Sequence, residues 1–90
     1  MPASKDIPII NKLGLHARAA AKLVHLAARF SSDIKLRKGT EEVDAKSILG
    51  ILLLAAAKGT TVTITAAGGD ELEALDSIEK LILARFDEVE

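Results

Sequence analysis

The chain has 90 residues, so we expect one domain spanning 1–90. It has no cysteine, which excludes disulfides, thiol nucleophiles and cysteine-based metal sites. Its net charge of -1 and 2% aromatic content give no basis for nucleic-acid binding. The most apolar stretch, 48–57, is too short to span a bilayer, so no membrane insertion is expected. These features favour a cytoplasmic protein with no metal or cofactor.

The first third of the chain predicts a strand followed by a helix. Ile7 and Ile9 alternate with polar or proline neighbours, as in a short strand. Pro8 lacks an N–H to donate, which predicts that this strand lies at a sheet edge. A loop at 11–15 precedes a helix from 17 to 30. The residues expected on its buried face are Ala20, Leu23, Val24 and Ala27.

Two strands are predicted next, joined by a tight turn. Ile34 and Leu36 alternate with charged residues, which is typical of a half-buried strand. A turn at 38–39 then leads to a returning strand at 41–44, with Val43 directed inward. The two strands are therefore expected to form an antiparallel hairpin.

A second, unusually apolar helix is predicted to begin at Ser47 and to end near Lys58-Gly59. Either all of its apolar side chains belong to the core, or some form an exposed docking patch. The residues alone leave both alternatives open. The side chains concerned are Ile48, Leu49, Ile51, Leu52, Leu53 and Leu54.

The last third predicts a strand, a turn and a final helix. Threonines alternate with apolar residues over 61–66, and Gly68-Gly69 forms the turn. Asp70 and Glu73 have the spacing of a capping box, which predicts a helix start at this point. The expected buried stripe of this helix is Leu72, Leu75, Ile78, Leu81 and Ile82.

The element order is therefore β-α-β-β-α-β-α, and each element has one apolar face. Two layers accommodate such elements most simply, with an antiparallel sheet covered on one side by its helices. The predicted fold class is α+β.

His16 is the main candidate for chemistry. It lies between Gly14 and the first predicted helix, where unpaired backbone N–H groups and the helix dipole favour an anion. Arg18 adds a permanent cation with a geometry that matches phosphate. The alternative for His16 is an ordinary capping or surface histidine. For His25, which lies within the predicted helix, a solvated helix position is the preferred interpretation. Neither histidine has a carboxylate or cysteine cluster at metal-ligand spacing.

Two segments together resemble the histidine-containing phosphocarrier family, HPr, of the bacterial phosphotransferase system. They are Leu13-Gly14-Leu15-His16-Ala17-Arg18-Ala19-Ala20 and Asp44-Ala45-Lys46-Ser47-Ile48-Leu49-Gly50-Ile51. Their separation, the element order and the chain length also match the family. The resemblance implies an open-faced β-sandwich with sheet order 1-4-2-3 and three helices on one face.

The resemblance also implies residue roles. His16 would accept a phosphoryl group on Nδ1 from Enzyme I and pass it to a IIA domain, while Arg18 would help to hold it. Ser47 would be a regulatory site for an HPr serine kinase/phosphorylase. Ala19 replaces the proline that is frequent in the family, so we expect a looser first helical turn.

Ile48, Leu49 and Leu52 are expected to point outward as a partner-binding patch, with Ile51 and Leu54 inward. Such a protein would be a monomeric carrier and a substrate of other enzymes, not an independent catalyst. The alternative function is a regulatory binding module that acts mainly through the phosphorylation state of Ser47, including in a nitrogen-related phosphorelay.

Overall fold

The computed structural model describes residues 2–90, which contain the predicted seven elements in the predicted order. A short left-handed turn, Arg85–Asp87, follows them near the end of the chain. The strands are β1 Ala3–Pro8, β2 Asp33–Lys38, β3 Glu41–Asp44 and β4 Thr61–Ala67; the helices are α1 Ala17–Ala27, α2 Ile48–Leu54 and α3 Glu71–Leu83.

The four strands form one antiparallel sheet in the order β1-β4-β2-β3. β1 is an edge strand, which confirms the prediction made from Pro8. Ile7 pairs with Val62, and Ile64 pairs with Leu36, so neighbouring strands direct buried side chains to the same face. The expected sheet order is confirmed.

The helices cover that apolar face, and the other face is polar. A single cluster of buried residues joins strands and helices, and each fully buried Ile, Leu or Phe side chain contributes about 1.5–3 kcal/mol to folding. On the opposite face, the Thr63 hydroxyl donates to Asp6 Oδ1 at 2.6 Å across β4 and β1. The α+β open-faced sandwich is therefore confirmed.

Two predicted helix ends were wrong. α1 ends at Ala27 and not at Phe30, because the chain tightens there into bonds from Arg29 N to Leu26 O and from Phe30 N to Ala27 O. α2 ends at Leu54, four residues before Lys58, because Ala55 adopts a left-handed conformation. Because the helix ends at this point, the backbone oxygen of the buried Ala56 can accept a hydrogen bond from Leu15 N in the loop before α1. A contact with a distant segment therefore determines where α2 ends.

The predicted capping box at α3 was also wrong. Asp70 is the N-cap residue, but its side chain makes no capping bond. Its carboxylate instead accepts from the backbone N–H of Ser31 and Ser32 and from the Ser32 hydroxyl. These bonds lower the pKa of Asp70 to about 2, and the bond from the Ser32 hydroxyl has the largest effect on it. Asp70 therefore joins the start of α3 to the segment between α1 and β2.

The predicted buried stripe of α3 needs one correction. Leu72 is 74% exposed, because the helical face that meets β1 and β4 begins two residues later, at Ala74. Leu81 is partly buried against the core. The buried residues of the helix are Ala74, Leu75, Ile78 and Ile82.

Candidate functional site

His16 is the N-cap residue of α1, and its backbone is extended. The preceding loop is held against the segment that follows α2 by a bond from Leu15 N to Ala56 O of 2.9 Å. Gly14 has a φ of +63°, and a Cβ at this position would lie 2.5 Å from Ala56 O. A glycine is therefore required both for the conformation and for the close approach that positions His16.

The imidazole of His16 is paired with a carboxylate near the end of the chain. Its Nε2 lies 2.5 Å from Glu88 Oε2, and the two side chains are 27% and 17% exposed. The side chain does not cap α1, so the backbone N–H groups of the first turn are left for another acceptor. The expected helix-start position is confirmed, whereas the contact with Glu88 was missed.

Glu88 is itself held by Asn11, a fully buried residue of the loop after β1. Asn11 Nδ2 donates to Gly14 O at 2.8 Å and to Glu88 Oε1 at 3.0 Å. The bond from Asn11 is the main cause that lowers the pKa of Glu88; the bond and charge of His16 also lower it, while burial opposes them. Glu88 is consequently an ionised acceptor for both neighbours near neutral pH.

A cavity lined by both basic and acidic side chains lies beside Glu88. Arg18 in the first turn of α1, Lys12 and Lys22 line this space of about 520 Å³ together with Leu13 and residues 87–90, three of which are acidic. Arg18 is exposed, and within residues 2–90 its side chain forms no salt bridge. A guanidinium in this position is available to an incoming anion.

Ser47 is the N-cap residue of α2, as predicted, and its hydroxyl accepts from Gly50 N at 3.1 Å. Behind it, Ile51 and Leu54 are buried, whereas the expected outward residues are exposed. Leu53 is exposed as well, so the apolar patch is larger than predicted. We define this surface as the α2 patch, with the exposures Ile48 45%, Leu49 64%, Leu52 37% and Leu53 70%.

The other candidates do not join the site. His25 is exposed on α1 and lines a second depression with Leu26 and Arg29, which shares Lys22 and Asp87 with the cavity described above but not Arg18 or Glu88. In the part of the chain that the structure describes, no group of three His, Cys, Asp or Glu side chains is placed to hold a metal ion. None of its helices is long and apolar enough to cross a bilayer.

Glu88 lies 72 residues from His16 in sequence, so spacing gave no sign of the contact. The available signal was Phe86, a large apolar residue just beyond the last predicted helix. It is fully buried in the structure, which draws the end of the chain back over the core.

Comparisons with known proteins agree with this architecture. The family model described as the PTS HPr component phosphorylation site matches residues 3–84. The phosphocarrier protein HPr of Cupriavidus necator is 54% identical over 86 residues, which are 96% of this chain and 97% of that protein. The phosphocarrier protein NPr of Shewanella violacea is 45% identical over 84 residues, which are 93% of this chain and 92% of that protein.

A solved structure extends the likeness to three dimensions. The crystal structure of HPr-C-His from Thermoanaerobacter tengcongensis superposes with a TM-score of 0.93 at 44% identity, over 96% of this chain and 97% of that one. The fold, the helix-start histidine and the matched family model lead to one conclusion: the chain belongs to the HPr family of phosphocarriers of the phosphotransferase system.

Proposed function

We propose that His16 accepts a phosphoryl group from phosphorylated Enzyme I and passes it to a IIA domain. The observation that carries the proposal is the arrangement around His16. Its imidazole lies at the start of α1 beside the uncapped first turn, and Arg18 lines the same cavity as Glu88, the partner of the imidazole. This arrangement supplies a nucleophile and positive groups for the charge that arrives with the phosphoryl group.

The transfer needs no acid or base from this chain beyond the imidazole. The lone pair of a ring nitrogen forms the N–P bond while the bond between phosphorus and the donor breaks, and its electron pair stays with the donor. Positioning and electrostatic stabilisation therefore account for most of the catalysis. Arg18 and the first-turn N–H groups would stabilise the phosphoryl oxygens, and the partners would supply the rest. The chain acts as a carrier and as a substrate of other enzymes.

Phosphorylation by Enzyme I with phosphoenolpyruvate tests the proposal directly. His16→Ala should abolish labelling, and His25→Ala, which removes the exposed second histidine, should leave it intact. The product should be labile in acid and stable in base, as expected for a phosphoramidate. Label on the His16→Ala variant would refute the assignment.

The α2 patch is the proposed docking surface for Enzyme I and IIA domains. The loop that carries His16 is bonded to the segment directly after α2, so a partner seated on this helix lies close to the imidazole. An exposed apolar surface of this kind is typical of protein–protein contacts.

Leu49→Asp should therefore weaken Enzyme I binding. Leu72→Asp provides the matched control, because Leu72 has similar exposure but lies on α3. Equal binding of the two variants would exclude the α2 patch as the docking surface.

Ser47 is the proposed regulatory phosphorylation site, for an HPr serine kinase/phosphorylase. A phosphate at the first residue before α2 is compatible with the helix, because the dipole and free N–H groups favour negative charge there. It would add about two negative charges next to Ile48. Partners that dock on the α2 patch would then meet repulsion and a desolvation cost.

A second candidate is a regulatory module that acts mainly through Ser47, or a nitrogen-related phosphorelay. The similarity to a protein named phosphocarrier NPr supports the nitrogen-related form of this candidate. Labelling with Enzyme I of the sugar branch and with its nitrogen-related counterpart, at equal concentrations, distinguishes the branches. For either branch we propose a monomeric protein of the cytoplasm.

A further inference from the structure

We propose that Glu88 is a positioning residue that fixes the tautomer of His16, so that Nε2 carries the proton and Nδ1 carries the nucleophilic lone pair. The proposal rests on the phosphoryl-acceptor function given above and assigns a role to the end of the chain. The geometry that points to it is the contact of 2.5 Å between Nε2 and Glu88 Oε2.

The backbone that delivers Glu88 is in an unfavourable conformation. Arg85, Phe86 and Asp87 have φ values of 58°, 54° and 63°, a left-handed turn that L residues rarely adopt in succession. Such strain persists where surrounding contacts enforce it, and it is concentrated at functional sites. The turn reverses the chain after α3 and directs residue 88 toward the loop before α1.

Contacts on three sides hold this turn in place. The Phe86 side chain is fully buried. Lys22, a residue of α1, donates a hydrogen bond of 2.5 Å from its Nζ to Phe86 O. Asn11 binds the other carboxylate oxygen, Glu88 Oε1. The carboxylate is thus fixed through one oxygen and presents the other to His16.

An ionised carboxylate only accepts hydrogen bonds, so the ring nitrogen facing it must carry the hydrogen. The neutral ring has one N–H, which leaves Nδ1 with the free lone pair. A carboxylate partner also orients the ring, as it does for metal-binding and catalytic histidines.

Glu88 should also stabilise the ring during transfer. As the Nδ1 lone pair forms the N–P bond and the donor keeps the electron pair of the broken bond, positive charge develops on the imidazole. The proton stays on Nε2 throughout. The Glu88 carboxylate lies beside this charge in a partly solvent-shielded position, where its stabilising effect is greater than in bulk water.

Nitrogen-15 NMR of the intact chain tests the tautomer without any phosphoryl donor. At a pH high enough for the ring to be neutral, wild type should show an unprotonated Nδ1 and a low-field, slowly exchanging Nε2–H. Glu88→Ala should lose the low-field proton and shift both nitrogens toward a tautomer mixture. Glu90→Gln is the control: it removes another acid of the same segment, one that pairs with Lys12 and not with the ring, and should retain the wild-type signals.

Kinetics of phosphorylation by Enzyme I give the second measurement. Glu88→Ala should lower kcat about tenfold with little change in KM, because the loss affects the reacting ring and not the docking surface. Glu88→Gln keeps the shape and a hydrogen-bond acceptor but not the charge. Its kcat should therefore lie between those of wild type and Glu88→Ala. Asp76→Asn, the same change of charge on the exposed face of α3, should match wild type.

The outcomes separate the two proposals. Identical His16 nitrogen shifts in wild type and in folded Glu88→Ala would overturn the positioning role, whatever the phosphorylation result. A wild-type chain that Enzyme I leaves unlabelled would overturn the proposed function, even if the NMR spectra show the Nε2–H tautomer. Altered NMR signals together with a reduced kcat would support the proposal.

Discussion

Replacement of Gly14 by alanine should destabilise the protein far more than the same change at Gly39. The two glycines have nearly the same conformation, with φ of +63° and +62°. A Cβ at Gly39 would have nothing within 4 Å, whereas one at Gly14 would lie 2.5 Å from Ala56 O and 2.9 Å from Ala57 Cα. The pair therefore separates conformational strain from a steric clash.

The magnitudes follow from this geometry. Alanine in the left-handed region costs about 1–2 kcal/mol, offset by about 0.4–1 kcal/mol from the reduced entropy of the unfolded chain. Gly39→Ala should therefore lower the free energy of unfolding by about 1 kcal/mol. At Gly14 the clash is with backbone, which has to move. It adds about 1–3 kcal/mol of overpacking and weakens the bond from Leu15 N to Ala56 O. The expected loss is about 3–4 kcal/mol.

Urea unfolding followed by circular dichroism measures both losses under the same conditions. Because His16 is only two residues after Gly14, Gly14→Ala should also slow phosphorylation by Enzyme I. This assay is run under conditions in which the variant is still folded. Gly39→Ala should not slow phosphorylation. Equal losses of stability at the two positions would refute the argument from close approach.

The further predictions concern Asp70, Ser47 and Arg18. The pKa of Asp70 is lowered from 3.8 to about 2, so the stability that its ionised carboxylate contributes is fully present above about pH 4 and is lost as the pH falls toward about 2. The difference in unfolding free energy between wild type and Asp70→Asn, measured in urea, should shrink over that interval. An unchanged difference would count against the contacts with Ser31 and Ser32. Ser47→Ala removes the acceptor for Gly50 N and should cost about 1 kcal/mol in urea unfolding, while Ser47→Asp retains an N-cap acceptor and should change stability little. Ser47→Asp should nevertheless weaken Enzyme I binding in a calorimetric titration, by a coupling energy of about 1–3 kcal/mol; equal affinity for the two folded proteins would contradict a local electrostatic effect. Arg18→Lys keeps the charge but loses the planar fork, so phosphoryl transfer should slow; unchanged kinetics would mean that the backbone and the dipole suffice.

Local patterns were sufficient for the element order and for most of the core. Alternation in β2 and β4 and helical spacing in α1 identify buried faces, because the period of a strand or helix determines which side chains share a face. Pro8 predicted an edge strand for the same local reason, its missing N–H. His16 and Ser47 were recognisable as residues at helix starts, and two such motifs in register indicated the family.

Helix limits depended on contacts that no local pattern contains. α2 stops at Leu54 because Ala56 pairs with Leu15, and Asp70 leaves its own helix uncapped because Ser31 and Ser32 offer it three hydrogen bonds. Propensity and capping rules describe a helix on its own, whereas the energy of these distant partners decides where it ends.

The sequence by itself therefore determined the fold class, the sheet edge and the helix-start histidine of this protein. Only the tertiary structure decided what faces that histidine. Burial of Phe86 draws the end of the chain across the core, and the left-handed turn brings Glu88 to His16. No periodic pattern encodes that contact, because its two residues belong to segments that meet only when the apolar face of the sheet is covered.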